Sequence, residues 1–138
     1  MGKQAITTTA IDLFHRLGPW HDRRVYQQAI KNGLTRQNQR VMAAPKVPLK
    51  DEWGEVLAVY RPHLTVRDGE QTWLVHIALP SDDLLAAERE VKAWLSAWQG
   101  QAVGMLLHFG ERRMTWKIIP RGYGNRNRKG GTYDNPRF

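Results

Sequence analysis

Hydrophobic and polar positions alternate along two stretches of the chain, and between them the apolar spacing lengthens to that of a helix. The first alternating stretch, Tyr60 to Ile77, is interrupted at Asp68-Gly69, a dipeptide suited to the two φ > 0 positions of a tight type I′ turn, so a β-hairpin is predicted there. With that turn at its centre, Val66 faces Gln71, Leu64 faces Trp73, Pro62 faces Val75 and Tyr60 faces Ile77. Tyr60, Leu64, Val66, Trp73, Val75 and Ile77 then share one side, and Arg61, His63, Thr65, Arg67, Thr72 and His76 the other. A second hairpin turns at Gly110-Glu111, with Val103, Met105, Leu107, Met114, Trp116 and Ile118 inward. Leu106, His108, Arg113, Thr115 and Lys117 face outward. Between the hairpins, Ser81 is the expected N-cap of a helix that carries Asp82 and Asp83 in its first turn and ends at Gly100. Its stripe of Leu84, Ala87, Val91, Trp94, Leu95 and Trp98 has the inward faces to pack on. The expected fold class is α+β, with a ββαββ two-layer core over residues 55–120: an antiparallel sheet with one helix on it.

Upstream, Thr7, Thr8 and Thr9 offer caps for a short helix with Ala10, Leu13, Phe14 and Leu17 on one face, stopped by Gly18-Pro19. A second helix starts at His21-Asp22, buries Val25, Tyr26, Ala29 and Ile30, and is capped by Asn32-Gly33. Thr35 can open a third, from Arg36 to about Ala44. Two or three short helices over residues 1–44 therefore precede the core. The pair around Gly33 has the layout of a helix-turn-helix, in which Arg36, Gln37, Asn38 and Arg40 would meet base edges in a major groove; a plain helical hairpin on the sheet has the same spacing. Residues 45–54, broken by Pro45 and Pro48, are expected to be a linker or extended arm.

A length of 138 residues suits one main domain, and the absence of cysteine removes disulfides, thiolate metal sites and thiol nucleophiles. No apolar run is long enough to span a bilayer and the N-terminus has no hydrophobic signal core, so a cytoplasmic location without membrane contact is expected. The net charge of +8 is unevenly spread: residues 1–50 hold nine Lys and Arg against two Asp and Glu, residues 51–120 seven against ten, and residues 121–138 five against one. Basic ends on a neutral-to-acidic middle point to a polyanion partner, and nucleic acid is the expected one. The tail, 121–138, is rich in Gly, Asn and Arg with Tyr123, Tyr133 and Phe138 interspersed, and is expected to be a disordered basic segment. Arg121, Arg126, Arg128 and Lys129 would contact phosphates there, joined by Arg61, Arg67, Arg113 and Lys117 on the outer sheet face.

The function expected is therefore non-enzymatic nucleic-acid binding, with DNA slightly preferred over RNA because of the Arg36 to Arg40 segment. One enzymatic alternative exists: His63, His76 and His108 beside Arg113 contain the groups a small toxin-like ribonuclease needs, one imidazole as base, one as acid and a guanidinium for the developing charge. No His pair has zincin spacing, and no Walker loop or dinucleotide fingerprint is present, so neither metal nor cofactor is expected. An exposed sheet edge or a tryptophan patch would instead serve a protein partner or a second copy, as in an accessory factor of a plasmid or phage.

Overall fold

Two adjacent strands, β5 (Gln71–Ala78) and β6 (Ala102–Phe109), are largely buried on both sides and lie at the centre of the fold. The computed structural model describes residues 2–69, 71–122 and 130–134. In chain order the elements are α1 (Gly2–Leu17), α2 (Arg23–Arg36), β1 (Arg40–Ala43), β2 (Val47–Lys50), β3 (Val56–Tyr60), β4 (Leu64–Asp68), β5, α3 (Leu84–Ala97), β6, β7 (Arg113–Ile119) and β8 (Gly130–Asp134). The α+β class holds: N-terminal helices precede a sheet on which a further helix packs. The main sheet has six strands in the order β1-β4-β5-β6-β7-β8, and β2 and β3 form a separate two-stranded ribbon.

Several expectations are corrected at this level. The sheet is not wholly antiparallel, because β5 and β6 run parallel, joined through α3. Nor are there two layers. The face carrying Leu64, Val66, Val75, Ile77, Met105, Leu107 and Met114 packs on α1 and α2, through Ile6, Phe14, Tyr26, Ile30 and Leu34. Helix α3 takes the opposite face, setting Ala87, Val91, Trp94 and Leu95 on Leu74, Ala78, Leu106 and Ile119. Within β4 to β7 the division of residues between faces is as the alternation predicts, but the side expected to carry α3 carries α1 and α2, and Tyr60, expected on that side, packs on the α3 cluster instead. Each fully buried Ile or Leu in these layers stabilises the fold by about 1.5–3 kcal/mol relative to exposure. Tyr26 adds a stacked ring contact with Phe109, centroids 4.4 Å apart.

The first hairpin pairs Asp68 with Gln71, Val66 with Trp73 and Leu64 with Val75, two residues away from the predicted register. Because the slip is even, every side chain of β4 and β5 stays on its predicted face. Tyr60 and Pro62 do not extend β4: Tyr60 pairs with Val47 in the β2-β3 ribbon, so Val47–Lys50 of the expected linker is strand. Helix α3 is capped by Asp83 and not Ser81, its Oδ1 accepting from the amides of Leu85 at 2.9 Å and Ala86 at 3.3 Å. Helix α1 already includes Gly2, and the threonine run lies inside it. Thr7 Oγ1 donates back to the Lys3 carbonyl at 3.0 Å, so this hydroxyl is satisfied along the helix without capping its start.

The helix-turn-helix is absent. Helix α2 continues through Gly33, which sits there for close packing, since a Cβ would lie 2.9 Å from Thr9 Cγ2. It ends in a Schellman arrangement with Asn38 at φ 64°, the Gln39 amide bonding to the Leu34 carbonyl and the Asn38 amide to that of Thr35. The chain then enters β1, which pairs with β4. Gly130–Asp134 pairs with β7 as strand β8, so this part of the tail is ordered; Arg126, Arg128 and Lys129 lie outside the described residues. Among the described residues no helix is long and apolar enough to cross a membrane.

Candidate functional site

The turn after α2 delivers a basic corner to the edge of the sheet. Asn38 in the left-handed conformation swings the chain from the helix into β1, and the β1-β4 register then places Arg40 directly opposite Arg67. A shallow cavity of about 310 Å³ lies here, lined by Asn38, Gln39, Arg40, Arg67, Asp68 and Gly69. Arg36, Asn38, Arg40 and Arg67 are exposed. Arg67 Nε donates to the Gly69 carbonyl at 3.2 Å. Among the described residues neither Arg36, Arg40 nor Arg67 has an ion pair. The adjacent carboxylate does not neutralise them by contact: Asp68 Oδ2 accepts from the Gly2 amide at 2.6 Å. Gln37 is exposed as well, but its amide is engaged, Nε2 donating to Thr9 Oγ1 at 2.8 Å and to the Gly33 carbonyl at 3.1 Å.

The remaining cations expected to bind phosphate are dispersed and mostly engaged. Arg61 donates to the Ala44 carbonyl at 3.3 Å. Arg113 pairs with Asp134 at 2.7 Å, and Lys117 with Glu88 at 3.0 Å beneath α3. The Arg121 guanidinium donates to the carbonyls of Gly100 and Trp98. The outer sheet face on which several of them were expected is covered by α3, which is why Lys117 meets a helix carboxylate instead of solvent.

The histidine constellation is divided by the fold. His63 and His76 come together, ring centroids 4.3 Å apart, and both rest on Trp94, His76 stacked at 5.2 Å and His63 edge-on at 5.3 Å. Arg113 is elsewhere, held by Asp134, and His108, opposite Ala78 on β6, does not line the cavity that the other two histidines share. Arg23, Asp82 and Glu90 complete the surroundings and, with the two histidines, line a cavity of about 200 Å³. None of these three is marked by a local motif; Arg23 arrives from α2, and only the packing of α2 and α3 about the end of β5 brings it near Asp82. Continuing the β4-β5 ladder would set Ile77 against Pro62, which has no N–H to donate. The Ile77 amide donates instead to His63 Nδ1 at 2.9 Å, and Arg23 Nε donates to the Ile77 carbonyl at 2.8 Å while its Nη2 holds Asp82 at 2.5 Å. The cluster thus closes the end of a strand.

Burial, reinforced by His76 and Arg23, pushes His63 down to about 3. Burial together with the Arg23 cation pushes His76 down to about 4, although Glu90 Oε1 lies 3.3 Å from its Nε2. His108 is lowered by burial as well. All three imidazoles are therefore neutral near pH 7, and the imidazolium that general-acid catalysis would draw on is scarcely populated there. Among the described residues no group of three or more His, Asp or Glu is placed to hold a metal ion. No protein-family model, curated protein or solved structure matches the chain.

Proposed function

We propose that this chain binds nucleic acid through the phosphate backbone, at the corner where α2 gives way to β1. The observation that carries the reading is the opposed pair Arg40 and Arg67, with Arg36 close by in sequence and no carboxylate paired to any of the three among the described residues. Like charges directly opposite in a sheet are destabilising, and a bridging phosphate removes that penalty while accepting hydrogen bonds from both guanidinium groups. The corner presents a turn and an edge strand, not a helix, so the contact is to phosphates and carries no preference for DNA over RNA.

The test is a titration of labelled duplex DNA, single-stranded DNA and RNA at a series of salt concentrations. Arg40→Ala with Arg67→Ala should lower affinity and reduce the slope of log K against log salt by roughly 1.4–1.8, since each phosphate contact contributes about 0.7–0.9. The contribution of Arg126, Arg128 and Lys129 is measured by substituting them together with alanine, because deleting residues 121–138 would also remove strand β8. Unchanged affinity and slope in the Arg40/Arg67 double variant would remove the basis of the reading.

A further inference from the structure

Strand β3 is a bare edge. It pairs with β2 on one side only, and among the described residues nothing pairs with its other side. Its sequence, Val-Leu-Ala-Val-Tyr, contains no charge or proline to discourage strand addition, and Val56, Leu57 and Val59 are 54%, 64% and 52% exposed. Val47 and Tyr60 turn one face of the ribbon toward α3, which leaves Leu57, Val59 and Pro48 on the face that a two-stranded ribbon in water would ordinarily make polar. An isolated pair of strands is also marginally stable, so the ribbon gains from further pairing.

The charges that flank β3 specify what pairs with it. Glu55 and Arg61 stand three residues before and three residues after Ala58, both exposed, and neither has an ion pair among the described residues. We infer that β3 is the docking edge for a second copy of this chain, the two β3 strands running antiparallel about a two-fold axis at Ala58 to make one four-stranded sheet. In that register Leu57 faces the second copy's Val59, Val56 faces its Tyr60, and Glu55 faces its Arg61, with every contact repeated by symmetry. A parallel arrangement would set Glu55 against Glu55 and Arg61 against Arg61, so the signs of the charges select the antiparallel one. The strand is complementary to itself, and no other protein is needed to satisfy it.

Sedimentation of the full chain at micromolar to submillimolar concentration tests this directly. The wild type should form a dimer of twice 15.9 kDa. Glu55→Arg and Arg61→Glu should each weaken association roughly tenfold, because two symmetric like-charge oppositions replace two attractive pairs, and the double reversal should restore it. Circular dichroism identifies any variant that fails to fold. An independent reading uses the absence of cysteine: Ala58→Cys sets two thiols across the axis, where opposed antiparallel Cα atoms about 4.5–5.5 Å apart fall within disulfide range. Mild oxidation should then yield a covalent dimer, and Ser96→Cys, on the exposed side of α3, should not. A wild type that stays monomeric, as it would if β3 served a different protein, overturns the inference. So does a dimer unaffected by both single reversals, or an Ala58→Cys variant that cross-links no faster than Ser96→Cys.

Discussion

Arg40 on β1 and Arg67 on β4 face each other directly across an antiparallel ladder, and among the described residues no carboxylate pairs with either. Such a pair costs folding free energy, so a substitution there should move stability and binding in opposite directions. Arg40→Glu should raise the stability measured by urea unfolding by about 0.5 kcal/mol, the size of a cross-strand charge opposition relieved and reversed. The same variant should bind oligonucleotides more weakly and with a shallower salt dependence. A loss of stability together with unchanged binding would show that the opposed cations serve the fold.

Lys117 should behave in the contrary way. Its Nζ lies 3.0 Å from Glu88 Oε2, and the Glu88 side chain, on the buried side of α3, is only 10% exposed, with Lys92 farther away at 3.7 Å. Lys117→Ala withdraws the closer cation from a nearly buried carboxylate and should destabilise the protein by about 2 kcal/mol. The salt slope of nucleic-acid binding should stay as in the wild type. Chemical unfolding and the oligonucleotide titration, run on the same variant, separate the two effects.

Acid should weaken the fold through the histidines. Folded, His63 and His76 titrate at about 3 and about 4; unfolded, both return to about 6.5. Between those values the unfolded chain takes up protons that the folded chain refuses, so stability rises with pH across the window and is lost on acidification. Each histidine contributes at most about 1.4 kcal/mol per pH unit within it. Asp82 has the same sign but acts lower: burial raises its carboxyl, and the Leu79 amide with the Arg23 cation outweighs burial and draws it below its ordinary value. The urea midpoint should fall between about pH 6.5 and about pH 4.5. His76→Gln should flatten that fall; an identical decline in the variant would trace it to other groups.

Gly104 is required by a close approach. A Cβ at this position on β6 would lie 2.3 Å from Val91 Cγ1 on α3 and 3.1 Å from the Ile119 carbonyl oxygen. Gly104→Ala should therefore destabilise by about 1–3 kcal/mol through overpacking. Adding Val91→Ala should make the combined loss smaller than the sum of the two single losses, because the two side chains compete for one space. Thermal or urea unfolding of the four proteins in the cycle measures this, and simple additivity would place the strain elsewhere.

The histidine site and the basic corner were legible to different degrees, for reasons that particular residues make plain. The period-two alternation of β4, β5, β6 and β7 sorts Leu64, Val66, Val75 and Met105 from His76, Leu106 and Lys117, and that sorting survives an even register slip. That His63 and His76 share a face follows from it as well. The contact between their rings does not, and neither does the presence of Arg23, which α2 brings to Ile77 from 54 residues earlier in the chain. The predicted stop of the second helix is Asn32-Gly33, and the observed one is Gln37-Asn38. Only the fit of Gly33 against Thr9 and the pairing of β1 on β4 select the second.

By itself the amino-acid order determined the α+β class, the two sides of the sheet, the apolar stripe of α3 and the concentration of positive charge toward the ends, because propensity, periodicity and charge are properties of short stretches. Tertiary structure decided which helix covers which side, since Leu74 and Leu106 make the second face nearly as apolar as the first and two apolar faces do not distinguish between partners. It also decided which cations are engaged and which are left at the surface: Lys117 and Arg113 meet carboxylates that folding brings within 3.0 Å and 2.7 Å, whereas Arg40 faces Arg67 and has no ion pair among the described residues. Strands β1 and β8 acquire their structure from the neighbours they pair with, and a strand's hydrogen bonds are written in another part of the chain.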